Sequence, residues 1–108
     1  MAKFLVLYRA PTSAREQMAG ATPEQAQAGM DAWMAWSTKA GSGIVDFGAP
    51  LGDGQVIGSG TPHGDLAGYS ILEGGSQDDV MKLLEDHPHM HTPGGSIEVR
   101  ELLSVPGA

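Results

Sequence analysis

The sequence predicts an α+β fold, one antiparallel sheet with two helices packed on a single face. Three observations carry this. Runs of strand length rich in apolar residues fall at 3–8, 43–50, 66–73 and 96–103. Two helix-start signals, Thr22-Pro23-Glu24-Gln25 and Ser76-Gln77-Asp78-Asp79, lie between them. Glycine and proline punctuate the joints, at Gly41, Gly52-Asp53-Gly54, Gly74-Gly75 and Pro93-Gly94-Gly95.

The first strand, 3–8, has Phe4, Val6 and Tyr8 on one alternation set and Leu5 and Leu7 on the other, so both faces call for cover. The polar stretch 9–21 reads as a connection. At Thr22 a capping residue, a proline at the first helical position and Gln25 three residues on begin a helix that runs to Ala40 and stops at Gly41. Its apolar stripe is Ala26, Met30, Trp33, Met34 and Ser37. The second strand, 43–50, leads into Gly52-Asp53-Gly54, which predicts a tight hairpin with a short returning arm at 55–59 and a loop over 58–65. A third strand, 66–73, precedes a helix capped by Ser76. On that helix Val80, Leu83, Leu84 and His87 share a face, and Pro88 ends it. The last strand is 96–103, and the tail 105–108 is expected to fray.

Strand, helix, strand, strand, helix, strand is the ferredoxin-like split βαβ order. Two helices cover one face of four strands, which leaves the second apolar face of the first strand bare. A two-fold homodimer packing sheet on sheet, a dimeric α/β barrel, is the expected solution.

With 108 residues, 41% of them hydrophobic, and no cysteine, the chain reads as one domain, 1–108, with a core large enough to fold without disulfides. Thirteen acidic against six basic residues give a formal charge of −7, the wrong sign for nucleic acid or an anionic membrane surface. No apolar run approaches the roughly 18–20 residues of a membrane span. A cytoplasmic protein is expected, in keeping with the absence of cysteine.

The opening Met-Ala-Lys-Phe-Leu-Val-Leu-Tyr and the Thr-Pro-Glu-Gln helix with Trp33 and Trp36 are followed by Gly-Ile-Val-Asp-Phe-Gly-Ala-Pro-Leu. Then come Gly68-Tyr69-Ser70-Ile71-Leu72, His87-Pro88-His89 and Gly95-Ser96-Ile97-Glu98-Val99-Arg100. In this order and spacing they resemble the YCII-related (DGPF-domain) family. The resemblance spans nearly the whole chain and implies a dimeric α/β-barrel protein with a cleft between sheet and helices. It does not imply a settled reaction. Better-studied members pair a histidine on the first helix with an aspartate near the second strand; here the helix from Thr22 carries no histidine, only Asp31, Trp33 and Met34 in the matching stretch.

Among the residues themselves, His87 is the strongest acid/base candidate, since imidazole titrates near neutrality, and a carboxylate such as Asp46 or Glu98 would orient it. The alternative reading is a half-buried helix-end ring held in its charged form by the helix dipole. His87, His89 and His91 could converge on a metal if the segment were extended, but no second ligand cluster supports this, and no metal or organic cofactor is expected. Trp33, Trp36, Tyr69 and Tyr8, with His89, are the candidate walls of a pocket for a small organic ligand; as the largest core and interface residues the four aromatics have the more direct explanation. Met30, Met34 and Met81 read as fillers of core gaps. Gly52-Asp53-Gly54 and Gly58-Ser59-Gly60 lack the context of a phosphate-binding loop. The resulting expectation is an enzyme acting on a small organic molecule through a histidine. The alternative is a non-catalytic dimeric binding module.

Overall fold

The computed structural model describes residues 1–107. Four strands, β1 (Ala2–Arg9), β2 (Ile44–Pro50), β3 (Leu66–Gly74) and β4 (Ser96–Glu101), form one sheet in the order β2-β3-β1-β4. Every pairing is antiparallel. Three helices, α1 (Ala14–Gly20), α2 (Pro23–Ala40) and α3 (Gln77–Leu84), join 3-10 turns at Gly41–Gly43 and Pro88–His91. The strand order is that of the ferredoxin-like fold, and among the described residues no helix is long and apolar enough to cross a membrane.

Local chemistry sets the helix bounds. Thr22 and Gln25 form a reciprocal capping box, at 3.1 and 2.9 Å, and Gly41 ends α2 at a φ of 55°. Ser76 caps α3 through the N–H of Asp79 at 3.2 Å. α1 is an addition to the expected two helices. Ser13 caps it by accepting from the Glu16 N–H, yet only Ala14 of its seven residues is buried, so it has no apolar stripe to announce it.

β1 lies inside the sheet with Phe4, Val6 and Tyr8 buried toward the helices. They pack with Leu72 of β3, Trp36 and Ala40 of α2, and Val80 and Leu84 of α3. At about 25 cal/mol per Å², burying this set is the main source of stability. On the other face Leu5 and Leu7 sit opposite Ile71 and Tyr69, half-buried. Among the described residues no helix is packed over them.

Several expectations change. Residues 51–65 contain no strand, so the hairpin over Gly52-Asp53-Gly54 and its arm at 55–59 are absent; the positive φ values belong to Gly58 and Gly60 instead. β4 ends at Glu101, two residues early, and α3 ends at Leu84, short of His87. Met30, Met34 and Met81 are exposed rather than filling the core. The first ten residues of α2 are exposed all round. Of the tail, Ala108 lies outside the described residues.

Candidate functional site

The apolar side of β1 meets α2 and the Pro88–His91 turn in a cluster of aromatic rings around His87. The proline that follows disfavours helical backbone at His87, which is extended (φ −60°, ψ 140°) and directs its ring inward. That ring is 0% exposed. It stacks on Tyr8 with centroids 4.8 Å apart, and Trp33 and Trp36 stand edge-to-face to it at 4.3 and 4.4 Å. Trp33 also packs edge-to-face against Tyr8 at 5.0 Å and Phe47 at 5.8 Å. Trp36 is fixed by an Nε1–H bond to the Leu83 carbonyl at 2.8 Å.

Hydrogen bonding assigns the protons. The His87 Nδ1 accepts from the His89 N–H at 2.9 Å, so the neutral ring carries its proton on Nε2. The Nε2 atom is buried without a hydrogen-bond partner. Burial pushes His87 down to about 4, His89 nearby adds to the shift, and Asp86 opposes it, so the ring is uncharged at neutral pH. This corrects the expectation of a half-buried, charge-favouring helix end. Ser70 gives its one hydroxyl proton to the Phe47 carbonyl at 2.7 Å and accepts from the Tyr8 phenol at 2.9 Å. Burial, against the smaller pull of that bond, raises Tyr8 to about 12, so the phenol stays protonated.

His89 is buried too, with its Nε2 donating to the Arg9 carbonyl at 2.7 Å. Pro88–His91 is a 3-10 turn, not an extended segment, so alternate imidazoles do not line up on one side. Among the described residues no three His, Asp or Glu side chains gather to hold a metal.

Of the other expected site residues, Trp33 borders the cluster while Tyr69 and Asp46 lie across the sheet. Tyr69 is opposite Leu7 and Ala49 on the uncovered face. Asp46 pairs in register with Ile71, on the same face, because Val45 is an extra residue that shifts the strand by one. Its Oδ1 accepts from the Gly48 N–H at 2.8 Å. The structure therefore does not bring Asp46 to His87, and His87 has no carboxylate hydrogen-bonded to it among the described residues. Asp46→Asn, which keeps that oxygen, is expected to leave the thermal midpoint unchanged, whereas Asp46→Ala loses about 1 kcal/mol; paired melting curves check this. Glu98, the other carboxylate considered, accepts from Arg9 at 3.0 Å and Arg100 at 2.8 Å, and Arg9 also grips Asp65. The guanidinium groups hold both carboxyls below their usual range.

Tyr8 and Trp36, expected as pocket walls, belong to the cluster, and so does the Ser70 hydroxyl, which the sequence does not mark as a site residue. The signal for Tyr8 was present in the alternation of β1, where it shares the face of Phe4 and Val6. Two open grooves flank the Pro88–His91 turn. One, of about 300 Å³, runs between Trp36, Lys39 and Asp86; the other, of about 690 Å³, runs between α1, the start of α2 and the turn.

No family model matches the chain, and no curated protein matches it. A solved structure does. It is the 5-chloro-2-hydroxyhydroquinone dehydrochlorinase of Burkholderia phenoliruptrix, in complex with 2,5-dihydroxybenzoquinone. The TM-score is 0.56 at 21% identity, with 95% of each chain covered. The likeness establishes the small α+β ferredoxin-like fold over almost the whole chain.

Proposed function

We propose that the chain is a YCII-like protein, cytoplasmic and without an organic cofactor, that takes a small planar organic molecule between sheet and helices and acts on it through His87. One observation carries this reading. A neutral imidazole is enclosed by three aromatic rings with its Nε2–H unsatisfied, a costly arrangement in a core and a useful one for a ligand oxygen. Because Nδ1 is already accepting, the ring offers a proton and does not take one. General-base work would require that bond to be released first. Trp33, half-buried at the cluster's edge, is the side chain that moves to admit a ligand. The dehydrochlorinase of like fold acts on a hydroquinone, which makes ring-bearing hydroxy and oxo compounds the first class to try. We further propose that the uncovered sheet face, with Leu5, Leu7, Tyr69 and Ile71 at its centre, is the homodimer contact.

A second reading, a binding module without catalysis, is favoured by one specific fact: among the described residues no carboxylate is hydrogen-bonded to His87. One experiment separates the two. Trp33 and Trp36 are the chain's two tryptophans, so quenching of intrinsic fluorescence reports ligand at the cluster. Titration with 2,5-dihydroxybenzoquinone and simple hydroquinones is expected to saturate for the wild type and to fail for His87→Phe. Absorbance change with turnover supports the enzyme; saturation without turnover supports the module. Absence of saturable quenching by any of these compounds overturns both.

A further inference from the structure

The chain segment after α3 reaches the end of the helix layer, crosses the aromatic cluster as the Pro88–His91 turn, and returns to the sheet through Pro93-Gly94-Gly95. We propose that Pro88–His91 is an acid-sensitive strap, closed over the cluster while His87 is neutral and released when that ring takes a second proton. This goes beyond the ligand reading and does not depend on it.

Three features make the segment a strap. First, its flanks are open, since Pro88 and His91 line the grooves on both sides, and Met90 and His91 face solvent. Second, its far end turns at Gly94 with φ 71°, a backbone position that glycine adopts readily. Gly95 follows in close packing, where a Cβ would stand 2.9 Å from the carbonyl oxygens of His89 and Thr92. Third, beyond the short-range bonds within the turn, its hold on the domain is concentrated in two histidines. The His87 ring fills the cluster and accepts from the His89 N–H, and the His89 ring ties the turn to the Arg9 carbonyl of β1.

Protonation breaks the first of these directly. The only free lone pair on the neutral ring is at Nδ1, so a proton from solvent must land there, and the atom changes from acceptor to donor. The His89 N–H then loses its partner, and the buried ring presents two N–H groups with no acceptor for either. The faces of Tyr8, Trp33 and Trp36 attract a cation but accept neither hydrogen bond conventionally. The other ionisable groups around the ring do not rescue it. Tyr8 from β1 stays protonated, His89 from the turn adds to the penalty, Asp86 favours the charge but is paired with Lys39 of α2, and α3 contributes no charge to the cluster.

The sign follows from the two states. Released, His87 titrates at its ordinary 6.5; strapped, at about 4. Above pH 6.5 both states are neutral and closure is undiminished. As pH falls from 6.5 to 4, the closed-to-open ratio drops by about 80-fold, and it approaches its full loss of about 300-fold only below about pH 3. Asp65, Asp86 and Glu98 are all held below their ordinary carboxyl range by their Arg and Lys partners.

The test is acrylamide quenching of the two tryptophans between pH 7 and 4, with far-ultraviolet circular dichroism on the same samples. Tryptophan accessibility is expected to rise through the window while the sheet signal holds. His89→Ala, which removes the tie to Arg9, is expected to open at higher pH. His87→Phe and His87→Gln, two variants in case one fails to fold, are expected to show accessibility independent of pH. Accessibility that stays flat to pH 4 overturns the strap. So does accessibility that rises only together with loss of the sheet signal, or that rises equally in the His87 variants.

Discussion

Gly48→Ala is expected to cost about 4 kcal/mol and to lower the melting temperature by on the order of 20 °C. Gly48 holds a φ of 83° in the irregular stretch of β2, and a Cβ there would lie 1.7 Å from the Tyr69 carbonyl oxygen and 2.6 Å from its carbon. Those are backbone atoms of the neighbouring strand, so no rotamer change relieves the overlap. The two strands must separate locally. With them go the Ser70 bond to the Phe47 carbonyl and the seating of Phe47 against Trp33. Urea unfolding with a tryptophan readout measures the effect; a loss under 1 kcal/mol would mean that the β2–β3 pairing shifts at little cost.

Trp36→Ala is the second large effect, expected at about 3–5 kcal/mol. Trp36 is 4% exposed and packs in the central core, where α2 meets the sheet and α3. The expected loss has two parts that a second variant separates. Trp36→Phe keeps most of the apolar volume but leaves the Leu83 carbonyl, at the end of α3, without the indole N–H, and should cost about 1–3 kcal/mol. If Phe and Ala destabilise equally, the hydrogen bond and not the packing dominates at this position.

Where sequence signals are local and chemical, the fold is legible. Thr22 with Gln25 and Ser76 with its following acids mark helix starts to the residue, and Gly41 marks a stop, because a cap is a hydrogen bond between near neighbours. α1 escapes this reading because seven mostly exposed residues carry no periodicity. The candidate site is only half legible. His87 occupies the helical position i+7 from Val80, but it also precedes a proline, and the local backbone preference of that pair overrides the helical spacing. Asp46 illustrates a different failure. Simple alternation from Ile44 would set it on the helix side with His87, and the single extra residue at Val45 moves it across the sheet. Register of this kind is decided by the partner strand, about 25 residues further along the chain, and leaves no mark in the strand's own pattern.

The position of β1 also has a consequence for how the chain is made. Of the sheet's four strands the first made is an inner one, β1, and its neighbours are β3 and β4, encoded up to 97 positions away at the Phe4–Glu101 pairing. At about 5–20 residues per second, β1 waits several seconds for Leu66–Gly74 to emerge, and longer for Ser96–Glu101. Throughout that interval both of its apolar faces and both of its backbone edges are open. β1 therefore completes its pairings only after β4 has been made, and until then the nascent chain exposes apolar surface that the finished sheet covers.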